Sequence, residues 1–176
     1  DWFYVNKWPL IPYPNKKQNC GYACWWNDPA LPKFNHSNPT VRQYLMKVAT
    51  HWLSKGIDGW RLDVPDEIPI EFWVEFRQKI KRINPEAWIL GEIWGEAREW
   101  LKGDTFDGVM NYRVGWSSLC WSAGDKLNNN YSNASYPLEK LCTKDYIEIL
   151  DITFNSYSND SNNSQLNLLD SHDVPR

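Results

Sequence analysis

Three carboxylate side chains follow short apolar stretches that are typical of buried strands. They are Asp63, Glu92 and Asp173, and each is followed by a loop. In a parallel barrel the carboxyl ends of the strands meet at one end, where active sites lie. Three acids brought together there would repel one another, so their convergence predicts a pocket in which a reaction requires them. Taken alone, Asp63 is also compatible with the N-cap of a helix.

The neighbours of two of these acids predict a division of labour. Arg61 lies two residues before Asp63 and hence on the same face of a strand, where its guanidinium would keep the carboxylate ionised, as suits a nucleophile. Glu92 is followed by Ile93 and Trp94, an apolar setting that raises a carboxyl pKa and suits a general acid. Retaining glycosidases combine two such carboxylates.

The remaining candidate residues are expected to bind the sugar substrate of such a glycosidase. Asp173 would hold sugar hydroxyls and support the positive charge that develops at the anomeric carbon. His172 would donate a hydrogen bond to the same sugar, although a lone His is equally compatible with a structural role. Trp94 directly follows the proposed acid, so its ring is expected to stack on glucose.

Composition narrows the class of protein. The 176 residues carry a net charge of -3, so the sequence predicts no basic surface for nucleic acid or an anionic membrane. The 12 Trp and 9 Tyr exceed what a core of this size needs, which indicates stacking surfaces for sugar rings or, alternatively, a Trp-rich core. Four cysteines complete no zinc pattern and leave disulfides open. We expect the chain, which begins without Met, to be an excerpt of a longer protein.

Apolar runs and helical periodicity predict the elements that position these acids. Strands and helices alternate, which indicates βαβ units, a parallel sheet and an α/β fold. A closed eightfold barrel needs roughly 250 residues, so four strands amount to a partial (β/α)8 TIM barrel. Asn-rich and Ser-rich segments at 128–135 and 155–164 are predicted to be surface loops. The predicted strands are 57–63, 88–92, 106–111 and 166–171, and the predicted helices are 39–55, 72–83, 96–101 and 138–150.

Four motifs carry a resemblance to a known family. Gly59–Asp63 (GWRLD), Leu90–Trp94 (LGEIW) and Ser171–Asp173 (SHD) resemble, in order and spacing, the nucleophile, acid/base and stabiliser segments of the α-amylase family of glycoside hydrolases, family 13. Leu31–Asn35 (LPKFN) is similar to the MPKLN segment of the neopullulanase, cyclomaltodextrinase and maltogenic amylase group. The chain is therefore identified as resembling that group.

The resemblance implies a fold position and an activity. The chain would hold about strands 4 to 7, with residues 1–36 as a loop segment like subdomain B and residues 37–176 as the central part of the catalytic barrel, both ends missing. It would belong to a retaining hydrolase that cleaves α-1,4 bonds in cyclodextrins, pullulan or maltooligosaccharides through a covalent glycosyl-enzyme. Without the family's first motif and its remaining strands, the excerpt alone is expected to be inactive.

The chain departs from the sequence of this group at two places, and the resemblance also implies a substrate, a location and an oligomeric state. Val64–Glu67 (VPDE) replaces the group's VANE, so Glu67 is expected beside the aglycone subsites, and Gly95 stands where the group often has His. No cofactor is expected; Ca²⁺ in the full-length protein is left open, with no site identified in this chain. The substrate would be an α-glucan, the location cytoplasmic and the full-length protein a homodimer.

Two other interpretations stay open from the residues alone. A metal-dependent lyase or racemase barrel also places carboxylates at strand ends, but Arg61 would lie awkwardly beside its Mg²⁺. An amylase-like barrel that is catalytically silent would act as a carbohydrate-binding or assembly module. The presence of all three acids argues against that module.

Overall fold

The computed structural model describes residues 1–11, 19–132 and 136–174. The chain divides into two compact units, Asp1–Ile57 with Glu67–Ile83, and Asp58–Asp66 with Asn84–Arg176. The predicted α/β class is confirmed, with helices and a parallel sheet along the described chain. In chain order the elements are α1 (Pro39–Leu53), β1 (Gly59–Leu62), α2 (Ile70–Ile83), β2 (Trp88–Gly91), β3 (Gly108–Val109), α3 (Tyr112–Ala123), α4 (Thr143–Asn155) and α5 (Asn159–Asn163).

Helices α1 and α2 pack on each other in the first unit. The Asn38 side chain caps α1 by accepting a hydrogen bond from the Thr40 N–H at 2.9 Å, and Pro39 fills the first helical position, as the sequence predicts. The helix ends before Gly56, which adopts the left-handed φ of +92° that favours glycine. Val41 of α1 and Ile80 of α2 are both fully buried, so these faces form the core of the unit.

The sheet of the second unit is parallel in the order β1-β2-β3. Leu62 pairs with Gly91, and Gly91 with Val109, so the carboxyl ends of the three strands lie side by side. The first three predicted strands are thus confirmed, although each is shorter than predicted. Gly59 is required by this pairing because a Cβ there would lie 2.1 Å from the carbonyl oxygen of Trp88.

The fourth predicted strand, 166–171, is wrong as an extended element. Only Leu166 forms a parallel bridge, with Met110, because the chain turns into α3 at Tyr112 and leaves β3 no further backbone to pair. Instead α3 packs closely against the segment that follows Leu166. A Cβ at Gly115 would lie 2.5 Å from the Leu168 carbonyl oxygen, so glycine permits this approach.

Three other local predictions need correction. The helix predicted at 96–101 is a single 3-10 turn, Arg98–Trp100. The helix predicted at 138–150 begins at Thr143, where Cys142 is the N-cap, and runs on to Asn155. The loop predicted at 155–164 contains α5, which Ser158 caps by accepting from the Ser161 N–H at 3.1 Å.

Helix α3 was not predicted at all, because three serines and a glycine interrupt its apolar stripe. Of the predicted loop 128–135, Asn129–Tyr131 form a 3-10 turn, while residues 133–135 lie outside the described residues. Residues 12–18 of the predicted segment 1–36 also lie outside them. The predicted division of the chain at residue 37 stays a prediction.

The packing of α2 predicts a difference between two isoleucines of the same helix. Ile80 is fully buried and Ile83 is 52% exposed. Ile80→Ala should lower the free energy of unfolding by about 2–5 kcal/mol, because it removes buried methylenes and leaves a cavity. Ile83→Ala is the matched control, with an expected change below about 1 kcal/mol. Urea unfolding followed by circular dichroism measures both; equal losses would contradict the packing described.

Candidate active site

The carboxyl ends of β1 and β2 bring two of the predicted acids together. Asp63 follows β1 and Glu92 follows β2, and the Glu92 N–H continues the ladder by donating to the Leu62 carbonyl at 2.9 Å. Arg61 belongs to β1 itself. Because parallel strands end at the same edge, register alone places these three side chains in one neighbourhood.

Arg61 lies between the two carboxylates. Its Nη1 donates to Asp63 Oδ1 at 2.5 Å, its Nη2 lies 2.7 Å from Glu92 Oε1, and its Nε donates to the sulfur of Met110 at 3.4 Å. Burial alone would lower the pKa of Arg61, but the Asp63 hydrogen bond and the Glu92 charge outweigh it and raise the pKa. The guanidinium therefore stays charged and holds both acids at fixed positions.

The two carboxylates differ strongly in their contact with water. The side chain of Glu92 is 2% exposed, whereas that of Asp63 is 76% exposed. Burial raises the pKa of Glu92 and outweighs the lowering caused by the Val64 N–H, the Arg61 charge and the Tyr112 hydroxyl. Glu92 therefore keeps its proton to higher pH than an exposed glutamate does, which is the property of a general acid.

Val64 follows Asp63 and contacts Glu92, and its backbone is strained. Its φ is +38°, a left-handed conformation that is unfavourable for a β-branched residue and costs about 1–3 kcal/mol. The Val64 N–H donates to Glu92 Oε2 at 3.2 Å. The strained residue thus supplies the second oxygen of the buried carboxyl with a donor.

Tyr112 completes the surroundings of Glu92. Its hydroxyl donates to Glu92 Oε1 at 3.1 Å and lies 3.3 Å from Ser171 Oγ, and its ring stacks on Trp94 with centroids 3.9 Å apart. Burial raises the pKa of Tyr112 to about 12, so the phenol keeps the proton that it donates. Sequence reasoning missed this contact; the available signal was the position of Tyr112 just past β3, at the edge where Glu92 lies.

The third acid is connected to this group through Ser171. The Asp173 N–H donates to Ser171 Oγ at 3.2 Å, and the same oxygen approaches the Tyr112 hydroxyl. His172 Nε2 lies 3.4 Å from Asp173 Oδ1, and both side chains are exposed to solvent. The segment that carries Asp173 is therefore held next to Glu92 by a chain of two hydroxyls.

Glu67 belongs to a different unit of the chain from these residues. It belongs to the first unit, where its carboxylate forms an ion pair with Lys33. The structure therefore brings together Arg61, Asp63 and Glu92. Trp94 stacks on Tyr112, which donates a hydrogen bond to Glu92, and His172 lies beside Asp173.

An aromatic cleft extends from Trp94 and Tyr112. Its walls combine flat rings with aliphatic side chains and a single carboxylate, Asp170. Such surfaces stack on the apolar faces of sugar rings while leaving the hydroxyls hydrated. The other aromatic residues that line it are Trp116, Tyr131 and Tyr136.

The described residues show neither a metal cluster nor a membrane helix. Across residues 1–11, 19–132 and 136–174, no three His, Cys, Asp or Glu side chains are grouped to hold a metal ion. In the same residues, no helix is long and apolar enough to cross a bilayer.

Comparison with known proteins decides the family. Residues 12–176 match the alpha-amylase family, "Alpha amylase, catalytic domain". The chain belongs to the alpha-amylase family. A cyclomaltodextrinase of Geobacillus thermopakistaniensis (strain MAS1) is 39% identical over the whole chain, which confirms the resemblance to that group. The chain spans 27% of the length of that relative.

Solved structures confirm the partial barrel. The protein Ttha1563 from Thermus thermophilus matches with a TM-score of 0.94 and 44% identity, over 100% of this chain and 37% of that one. A debranching enzyme from Nostoc punctiforme matches with a TM-score of 0.91 and 44% identity, over 98% of this chain and 36% of that one. This alpha-amylase family chain is thus a fragment of the (β/α)8 fold.

The hydrogen bond from Tyr112 predicts the titration of Glu92. Its donation favours the ionised carboxylate, so Tyr112→Phe should raise the pKa of Glu92 further and keep the acid form to higher pH. The measurement is a ¹³C NMR titration of the Glu92 carboxyl in the protein expressed from its complete reading frame.

Tyr146→Phe is the matched control, because the Tyr146 hydroxyl contacts Ser118 instead. It should leave the Glu92 titration unchanged. An unchanged or lower Glu92 pKa in Tyr112→Phe would contradict the assigned contact.

Proposed function

We propose that this alpha-amylase family protein is a retaining α-glucan hydrolase that cleaves α-1,4 bonds in cyclodextrins, pullulan or maltooligosaccharides. The observation that carries the proposal is Arg61 between an exposed carboxylate, Asp63, and a buried one, Glu92. Two carboxyl groups in unlike surroundings, held by one cation, suit a nucleophile and an acid.

The proposed reaction has two steps. Glu92 donates its proton to the glycosidic oxygen while Asp63 attacks the anomeric carbon, which breaks the α-bond and forms a β-glucosyl ester on Asp63. The leaving sugar departs and a water molecule takes its place. Glu92, now a carboxylate, accepts a proton from this water as it displaces Asp63, so the product regains the α-configuration.

The other residues have proposed roles in binding. Asp173 accepts hydrogen bonds from sugar hydroxyls and stabilises the developing oxocarbenium charge, and His172 donates to the same sugar. Trp94, in contact with the aromatic cleft, stacks on a glucose ring. Glu67 is proposed to contact the aglycone, a role that its ion pair with Lys33 would have to accommodate.

The substrate and the setting are proposals of the same kind. A relative named cyclomaltodextrinase supports α-1,4-linked cyclic glucans, and a relative named debranching enzyme adds α-1,6 bonds as a candidate. A cytoplasmic location is supported by four free cysteines, which persist in reducing compartments. A homodimer of the full-length protein stays a prediction.

The test is the configuration of the first product. β-Cyclodextrin is supplied to the protein expressed from its complete reading frame, and the anomeric proton of the product is followed by NMR. The α-anomer should appear first, and Asp63→Asn should lower the rate by roughly 10³-fold or more because the nucleophile is lost. Asp58→Asn, the same change at the other end of β1, should leave the rate unchanged.

Two results would overturn the proposal. A β-anomer appearing first would exclude Asp63 as the nucleophile. A protein that binds maltooligosaccharide but converts neither cyclodextrin, pullulan nor starch would instead be a carbohydrate-binding module on an amylase barrel.

A further inference from the structure

Two cysteines of the first unit hold their sulfur atoms in contact. The Sγ atoms of Cys20 and Cys24 are 3.3 Å apart, and both approach the carbonyl oxygen of Tyr22, at 3.1 and 3.5 Å. Each side chain is partly accessible to solvent. The proposed glucan chemistry uses neither of them, so this C-x3-C pair is a feature without an assigned role.

Backbone hydrogen bonds fix the turn that carries the pair. Gly21 adopts a φ of +84°, and its carbonyl oxygen accepts the Asn6 N–H at 2.7 Å. The Ala23 N–H donates to the carbonyl oxygen of Tyr4 at 2.8 Å, and the Ala23 carbonyl oxygen accepts the Lys33 N–H at 2.9 Å. Because the turn is anchored on both sides, the contact between the sulfurs is a property of the folded chain.

We propose that Cys20 and Cys24 form a dithiol modification site that low-molecular-weight disulfides oxidise to an intramolecular disulfide. A disulfide bond is about 2.05 Å long, so the two sulfurs need to approach by only about 1 Å. The site is independent of the proposed hydrolase activity.

The exchange balances in two steps. One protein thiolate attacks the small disulfide, forms a mixed disulfide and releases one small thiolate, which takes up a proton. The second protein thiolate then attacks the protein sulfur of the mixed disulfide and releases the other small thiol. Two electrons pass from the cysteines to the small disulfide, and the two protons end on the released thiols.

The surroundings of Cys24 set the pH dependence. Burial, followed by the hydrogen bond with Cys20, raises the pKa of the Cys24 thiol to about 11. The thiolate is the reactive species, so ring closure should accelerate as the pH rises from neutral. The negative charge of Asp28 also disfavours the Cys24 thiolate.

The other cysteines provide internal controls. Cys142 is exposed at the N-terminus of α4, where its sulfur accepts the Asp145 N–H at 3.5 Å. It should stop at a mixed disulfide. Cys120 is fully buried and should stay unmodified.

The experiment exposes the reduced protein, expressed from its complete reading frame, to glutathione disulfide and then alkylates the remaining thiols. Trypsin cleaves after Lys17 and Lys33, so both cysteines lie in one peptide, Gln18–Lys33. Mass spectrometry should find this peptide without an alkyl group and about 2 Da lighter than its dithiol form. The Cys142 peptide should carry glutathione.

The matched variant is Cys24→Ser. In it, Cys20 should stop at the mixed disulfide because the resolving thiol is gone. Recovery of Gln18–Lys33 from the wild-type protein with both cysteines alkylated, or with glutathione as the end product, would overturn the proposal. So would a Cys20 that stays unmodified in the variant.

Discussion

The guanidinium of Arg61 is the interaction on which the site depends. Taking the Glu92 carboxyl out of water is unfavourable, and a paired cation at 2.7 Å offsets part of that cost. Removing one partner of a buried pair typically costs about 3–5 kcal/mol, because the other charge is left uncompensated. The same cation holds the exposed Asp63 at 2.5 Å, so one side chain sets the positions of both acids. Glu92 and Asp63 then differ because the first is buried and the second is exposed, and not because of the number of charges around them.

This arrangement arises from the sheet and from one strained residue. Parallel pairing of β1 with β2 brings Asp63 and Glu92 to the same edge, and Val64, whose φ is left-handed, donates its N–H to the buried carboxyl. Tyr112 adds a donor from the start of α3. Strain at Val64 is tolerated because the register and the ion pair over-determine its conformation.

Sequence could predict what depends on local pattern. The apolar runs before Asp63 and Glu92 predict strands, and the acids at their ends predict the site. The Tyr112–Glu92 contact escaped prediction because the two residues are 20 positions apart and meet only through strand register. Helix α3 escaped it because Ser117, polar in sequence, is fully buried by tertiary packing.

The central claim, that Asp63 is the nucleophile beside a buried acid, is tested most directly by trapping the intermediate. A glucosyl fluoride carrying fluorine at C5 is added to the protein expressed from its complete reading frame, and the tryptic peptide Leu62–Arg77 is sequenced by mass spectrometry. The account predicts a glucosyl adduct on Asp63. An adduct on Glu92, on Asp173 or on another carboxylate would contradict it, as would the absence of any adduct in a protein that hydrolyses cyclodextrin.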